Sequence, residues 1–263
     1  MRDPRSILLT GASAGIGAAL ARAYAVPGRN LALGGRDASR LAAVAAECRA
    51  LGATVTTAAI DVRDAAAMAG WIAGADAAAP LDLVIANAGV SAGTGAGGEA
   101  ASQAREIFAI NLDGAANTVL PALDLMRARP RPADDQPRGQ VALMASLAAF
   151  RGFAGAPAYC ASKAALRAWG EALRALHRAD AIEVSVVCPG FVRTAMSAVN
   201  DFPMPFLMEP DRAAAIVLRG LAANRGRIAF PWPLYWGVLL LAGLPDWIAG
   251  RITANAPRKP GQG

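Results

Sequence analysis

Between residues 6 and 230, short runs that are apolar almost throughout alternate with longer Ala-rich stretches of helical period. The runs lie at 6–10, 30–34, 54–60, 83–86, 140–146, 183–188 and 227–230. A run without polar alternation is a strand covered on both faces, and such strands belong to parallel sheets. The stretches between predict helices. One ends near residue 25, one runs to about 51 behind a cap at Asp37 or Ser39, and one spans 65–78. A long helix contains Asn111 and ends near Met126, and another covers 161–176, with Pro157 suited to its first turn. Strands and helices in alternation give an α/β fold, a doubly wound, seven-stranded parallel sheet in a single three-layer α/β/α domain. That domain takes up residues 1–230. Residues 231–263 form an apolar C-terminal helical segment, packed on the same domain or at an interface. The stretches at 90–98 and 127–138 read as a mobile and a solvated loop, and 256–263 as a disordered tail.

Ligands on such sheets bind beyond the carboxyl ends of the strands. Gly11, Ser13, Gly15, Ile16 and Gly17 fall between the first strand and its helix, where glycines let the backbone approach a pyrophosphate and the helix N-terminus supplies N–H groups. The second strand ends Gly34-Gly35-Arg36-Asp37. With no carboxylate at the strand end and Arg36 following at once, NADP(H) is expected, NAD(H) being the alternative if Asp37 binds the ribose. Asp61 and Val62 leave the third strand, where Asp61 either accepts from an adenine amino group or caps the next helix. Asn87, Ala88 and Gly89 end the fourth, Ser146 the fifth, and Pro189-Gly190 the sixth. Tyr159 and Lys163 are four apart, on one helix face. An ammonium beside a phenol favours the phenolate, so a lowered Tyr159 pKa is expected, as acid–base work at neutral pH requires.

These pieces, in this order and spacing across residues 6–230, resemble the short-chain dehydrogenase/reductase family. They are Thr10-Gly11-x-x-x-Gly15-x-Gly17, Asn87-Ala88-Gly89, Asn111, Ser146, Tyr159-x-x-x-Lys163 and Pro189-Gly190-x-Val192-x-Thr194. The resemblance implies a Rossmann-like fold and hydride transfer between a nicotinamide and a carbonyl or secondary alcohol. It makes Tyr159 the general acid/base, and Lys163 the group that tunes it and binds the nicotinamide ribose. It gives Ser146 the substrate oxygen, Asn111 a water linking Lys163 to solvent, and Val192 and Thr194 the carboxamide. It also implies a homodimer or homotetramer. Ala86 replaces a frequent Asn, and Ala14 lacks the basic side chain that many NADP-dependent members carry in the glycine loop.

Composition narrows the field further. The net charge is +6, almost all of it Arg, with Lys163 and Lys259 the two lysines. No basic cluster is interleaved with aromatics, so nucleic acid is not expected as a partner. Cys48, Cys160 and Cys188 are scattered, and His177, the one histidine, reads as a surface residue. Neither a disulfide framework nor a metal site is expected. The N-terminus enters a strand with no signal-peptide pattern, so the expected setting is cytoplasmic. The resemblance places residues 194–208 over the substrate, and their Met196, Phe202, Met204, Phe206, Leu207 and Met208, with Phe153, then suggest a lipophilic one. From 228 to 245 no residue is charged, and Trp232, Tyr235 and Trp236 stand beside an apolar run. That pattern is too short and proline-broken to span a bilayer, but it fits peripheral contact with the inner face of a membrane through 231–252. A rival reading is a cofactor-binding sensor or scaffold without turnover.

Overall fold

The computed structural model describes residues 3–94, 97–132 and 136–254. The expected tail, 256–263, lies outside them, as do parts of both expected loops. Seven strands run parallel: β1 (Ser6–Thr10), β2 (Asn30–Gly35), β3 (Thr54–Ala59), β4 (Leu83–Ala86), β5 (Gly139–Met144), β6 (Ile182–Pro189) and β7 (Arg227–Phe230). Their order is β3-β2-β1-β4-β5-β6-β7. β1 therefore pairs with both β2 and β4, and the winding reverses between them. Strand β1 is buried at every position, and so is β5, as a sheet covered on both faces demands.

The helices are α1 (Gly15–Tyr24), α2 (Ala38–Ala50), α3 (Ala65–Ala78), α4 (Ala101–Phe108), α5 (Gly114–Ala128), α6 (Pro157–Leu176), α7 (Ala195–Ala198), α8 (Pro210–Ala222), α9 (Trp232–Gly243) and α10 (Asp246–Ala254). Leu20 of α1, Leu41 of α2 and Val217 of α8 share one core with Leu9 and Leu33. Met68 of α3, Val119 of α5 and Leu166 of α6 share the other with Leu8 and Val84. Two cores on opposite sides of one sheet make the three layers. Small residues let α6 come close: a Cβ on Gly170 would lie 2.5 Å from Val186 Cγ2.

Several details differ from expectation. The long helix containing Asn111 is interrupted by a π-helical segment, Ala109–Asp113, between α4 and α5. β5 stops at Met144, and Ser146 instead caps a 3-10 turn, Leu147–Ala149, accepting from Ala148 N at 3.1 Å. Asp64, not Asp61, caps α3, accepting from Ala67 N at 3.0 Å. His177 is buried rather than on the surface: the turn after α6 folds back so that Ile182 N donates to His177 O, and the ring Nδ1 lies 2.8 Å from Asp180 Oδ2. Helix α9 rests against β7 and the 3-10 turn. Among the described residues no helix is long and apolar enough to cross a membrane.

Candidate active site

The carboxyl ends of the first six strands open into one cavity of about 1140 Å³. Every residue named above as catalytic or cofactor-binding lines it except Asn111. Convergence on a sheet edge where the winding reverses is what a doubly wound fold provides.

The glycine turn is held chiefly by protein packing. Gly11 has φ +66°, and a Cβ there would meet Ala88 Cα and Asn87 Nδ2, each at 2.9 Å. A Cβ on Gly17 would lie 2.1 Å from Gly11 O. Gly15, with φ +55°, faces Thr194, whose Cγ2 would be 2.9 Å from an added Cβ. Asn87 clamps the turn from the side, donating through Nδ2 to Thr10 O (3.0 Å) and Gly11 O (3.2 Å). Buried Thr10 Oγ1 accepts from Asn87 N and Ala88 N. The result is an α1 N-terminus with no side-chain cap and no acid in its first turn, bordering the cavity. Uncapped N–H groups at a positive dipole end fit a pyrophosphate. At the end of β2, Arg36 is exposed on the cavity rim, while Asp37 caps α2 through Arg40 N (2.9 Å) and pairs with the Arg40 guanidinium (2.6 Å). Asp61 is paired with Arg63 at 2.6 Å, and that hydrogen bond above all holds its pKa below the usual carboxylate range. These residues fit a dinucleotide: a glycine cradle, free helix N–H groups and a rim cation.

Deeper in, Tyr159, Lys163 and Ser146 meet. Lys163 is 4% exposed, and its Nζ donates to Met144 O at 2.8 Å and lies 5.7 Å from the Tyr159 ring centroid. No carboxylate pairs with it among the described residues. Burial lowers its pKa from 10.5 to about 8. Tyr159 keeps part of its surface open to the cavity, yet the dense protein around the ring desolvates the phenolate. Its pKa is therefore raised, with a hydrogen bond from Ser146 opposing the rise. This corrects the lowered value expected from the Tyr159–Lys163 spacing. Spacing puts the cation nearby, but burial penalises both charged forms and outweighs it.

Asn111 lies behind the cavity, fully buried in the π segment. Its Oδ1 accepts from Val90 N (2.8 Å), and its Nδ2 donates to Val90 O and Ser162 Oγ, each at 3.0 Å. It thereby fixes the chain beyond Gly89 against α6. A Cβ on Gly89 would lie 3.1 Å from Asn111 Oδ1 and 3.3 Å from Lys163 Nζ, so the glycine leaves room between them. Thr194 caps α7, with its hydroxyl accepting from Ser197 N at 3.3 Å.

The remaining wall is apolar. Phe153, Met196 and Phe202 line it as expected, whereas Met208 is buried beside Val192 and Phe206 is exposed. Sequence reasoning missed Leu147, Leu234 and Val238. The last two are four apart on α9, but a helix apolar on every side gives no signal for which face points inward.

The chain matches the family model described as short chain dehydrogenase over residues 5–202. A Myxococcus xanthus protein described as an uncharacterized oxidoreductase is 40% identical over 243 residues, 92% of this chain and 93% of the relative. A short chain dehydrogenase/reductase from Burkholderia phymatum, solved in complex with NAD, superposes with a TM-score of 0.80 at 23% identity, covering 99% of each chain. A 3-oxoacyl-[acyl-carrier protein] reductase from Brucella melitensis, also solved with NAD, gives 0.77 at 26% identity, covering 90% of this chain and 99% of that one.

Proposed function

The chain belongs to the short-chain dehydrogenase/reductase family, an oxidoreductase family, and on that footing we propose that it reduces a lipophilic carbonyl, or oxidises the matching secondary alcohol, with Tyr159 as proton donor or acceptor. The observation that carries this reading is the meeting of Tyr159, Lys163 and Ser146 at the base of the cavity that the glycine turn also lines. A nicotinamide cofactor supplies or accepts the hydride when bound. The chain's own residues do the rest. The raised pKa keeps Tyr159 protonated at neutral pH, which suits donation to a carbonyl oxygen. Ser146 Oγ, beside the phenol, orients that oxygen. Lys163 holds the ribose and places a positive charge near the phenol as it gives up its proton. Asn111 would hold a water that links Lys163 to solvent. Gly11, Ser13, Gly15, Ile16 and Gly17 would hold the pyrophosphate, Asp61 and Val62 the adenine, Asn87, Ala88 and Gly89 the adjoining ribose, and Pro189, Gly190, Val192 and Thr194 the nicotinamide.

NADP(H) is the preferred form in this reading. Arg36 stands at the rim with no ion pair among the described residues, while Asp37 is engaged by Arg40 and the α2 cap. The Brucella relative's complex with NAD keeps NAD(H) as the alternative. The apolar wall formed by Phe153, Phe202, Leu234 and Val238 supports a substrate with a hydrocarbon portion. A homodimer or homotetramer in the cytoplasm, with peripheral membrane contact through 231–252, completes the proposal. The deciding experiment follows cofactor oxidation over a panel running from polyols to long-chain carbonyls, for wild type and Tyr159→Phe. Cofactor binding by both proteins, with turnover of apolar carbonyls by wild type alone, is expected. Equal turnover in the variant, or a preference for small polyols, rejects the proposal.

A further inference from the structure

Helix α9 has two apolar faces. Leu234 and Val238 form part of the cavity wall. On the other side Trp232, Trp236 and Leu240 recur every four residues and are 72%, 57% and 71% exposed. Past α9, Leu244 is part exposed, and in α10 Trp247 is 67% exposed and Ile252 50%. The segment across the cavity behaves alike: Met196 and Phe202 line the cavity, while Val199 and Phe206 are more than half exposed. Surface helices in water carry a polar outer face, and α9 carries none. Its burial is one-sided, yet its composition is that of a helix covered all round.

Resting on the reading of a lipophilic substrate, we propose that the outer face of α9 and the start of α10 docks on an anionic lipid bilayer, and that the substrate is an amphiphile passing from the leaflet past α9 into the cavity. The chemistry of the face favours lipid over a second copy of the chain. Between 228 and 245 there is no charge, and the polar groups that Trp232, Trp236 and Trp247 offer are indole N–H groups. A protein partner needs about one hydrogen bond per 100–200 Å² of contact, whereas indoles sit naturally at the headgroup level of a membrane. Arg251 lies over the Trp247 ring, Asp246 is paired with Arg151 at 2.7 Å, and the whole chain carries +6. Such a charge balance is attracted to acidic headgroups. Because one helix both contacts the bilayer and walls the cavity, a dissolved hydrocarbon chain reaches Ser146 without crossing water.

The test is flotation of the full chain with phosphatidylcholine vesicles, alone or with roughly a third phosphatidylglycerol, for wild type and the triple variant Trp232→Ser, Trp236→Ser, Leu240→Ser. Circular dichroism and light scattering accompany it. Wild type is expected to float with the acidic vesicles, at least about tenfold more than with the neutral ones and about tenfold more than the variant. Vesicles should lower KM for a membrane-partitioned carbonyl but not for a water-soluble one, and the folded variant should keep its turnover of the soluble substrate. Absence of flotation overturns the proposal. So does a folded variant that floats like wild type, or one whose only change is a smaller assembly, since the face then belongs to a second copy. Flotation needs no turnover, so an inactive but floating protein would refute the proposed reaction and leave the docking surface standing.

Discussion

Among the described residues Lys163 is a buried cation without a buried anion, and replacing it with methionine should make the protein more stable while abolishing turnover. The ammonium is 4% exposed, and it donates to Met144 O at 2.8 Å. Burial drops its pKa from 10.5 to about 8. At 1.36 kcal/mol per unit, the charged side chain costs the fold ~3 kcal/mol at neutral pH. Methionine fills the same space without that cost, but strands the Met144 carbonyl, a loss of about 1 kcal/mol. A net gain of about 2 kcal/mol remains, a shift on the order of 1 M in the urea midpoint. The pH dependence provides a second check. The folded pKa is depressed, so between about 8 and 10.5 the unfolded chain holds more protons and wild-type stability rises with pH. From pH 7 to about pH 9.5 the wild type should regain about 2 kcal/mol, and Lys163→Met should show no such rise from this site. The two stabilities therefore converge in alkali. Urea melts of both proteins at several pH values measure this. A variant less stable than wild type at pH 7, or a gap that does not change with pH, refutes the reasoning.

Two glycines separate rigid from compliant packing. Gly17→Ala sets a methyl 2.1 Å from Gly11 O, against backbone that cannot yield. It should cost ~2–3 kcal/mol and abolish dinucleotide binding, read by thermal melting and cofactor titration. Gly139→Ala meets Met126 Sδ at 2.4 Å, a flexible thioether that can rotate away, and should cost no more than ~1 kcal/mol with cofactor binding unchanged. Arg36→Ala should weaken NADPH binding by about tenfold or more and leave NADH nearly unaffected, because one charge-assisted contact to a 2′-phosphate is worth ~1.5–3 kcal/mol. Equal effects on both cofactors would remove the argument for NADP(H).

The strands were legible because most are largely apolar runs, as buried parallel strands are, although the edge strand β3 carries three threonines and is mostly exposed. From their order the cavity edge followed, and with it every residue predicted as catalytic or cofactor-binding except Asn111, whose helix position gave no direction for its side chain. Of the apolar residues expected at 194–208, by contrast, Met204, Phe206, Leu207 and Met208 do not line the cavity. What escaped the sequence depends on three-dimensional density. Tyr159 four residues before Lys163 predicts proximity, but whether attraction or desolvation governs the phenol is set by atoms from β5, β6 and the 3-10 turn. His177 looked superficial at a helix end and is buried by the turn that follows it. On α9 the uniform apolarity hid which positions, Leu234 and Val238, face the cavity.

The glycine loop alone does not separate an enzyme from a cofactor-binding scaffold. Gly11 and Gly17 are required by contacts with Ala88, Asn87 and the Gly11 carbonyl, and Asn87 and Thr10 by the turn they clamp. Each of these would persist in a chain that binds a dinucleotide and never turns it over. Lys163 is different. A scaffold that only held the ribose would be served by a neutral hydrogen-bond donor, whereas an ammonium at 4% exposure costs the fold more than a typical single hydrogen bond returns. Any apolar side chain at 163 would serve packing better, as the expected gain in Lys163→Met states. A destabilising charge beside a phenol and a serine at the base of a ligand-sized cavity makes sense where that charge acts on something bound. On the proposed reaction, Lys163 is thus the residue that best separates an enzyme from a scaffold, because the chain's stability would be better without it.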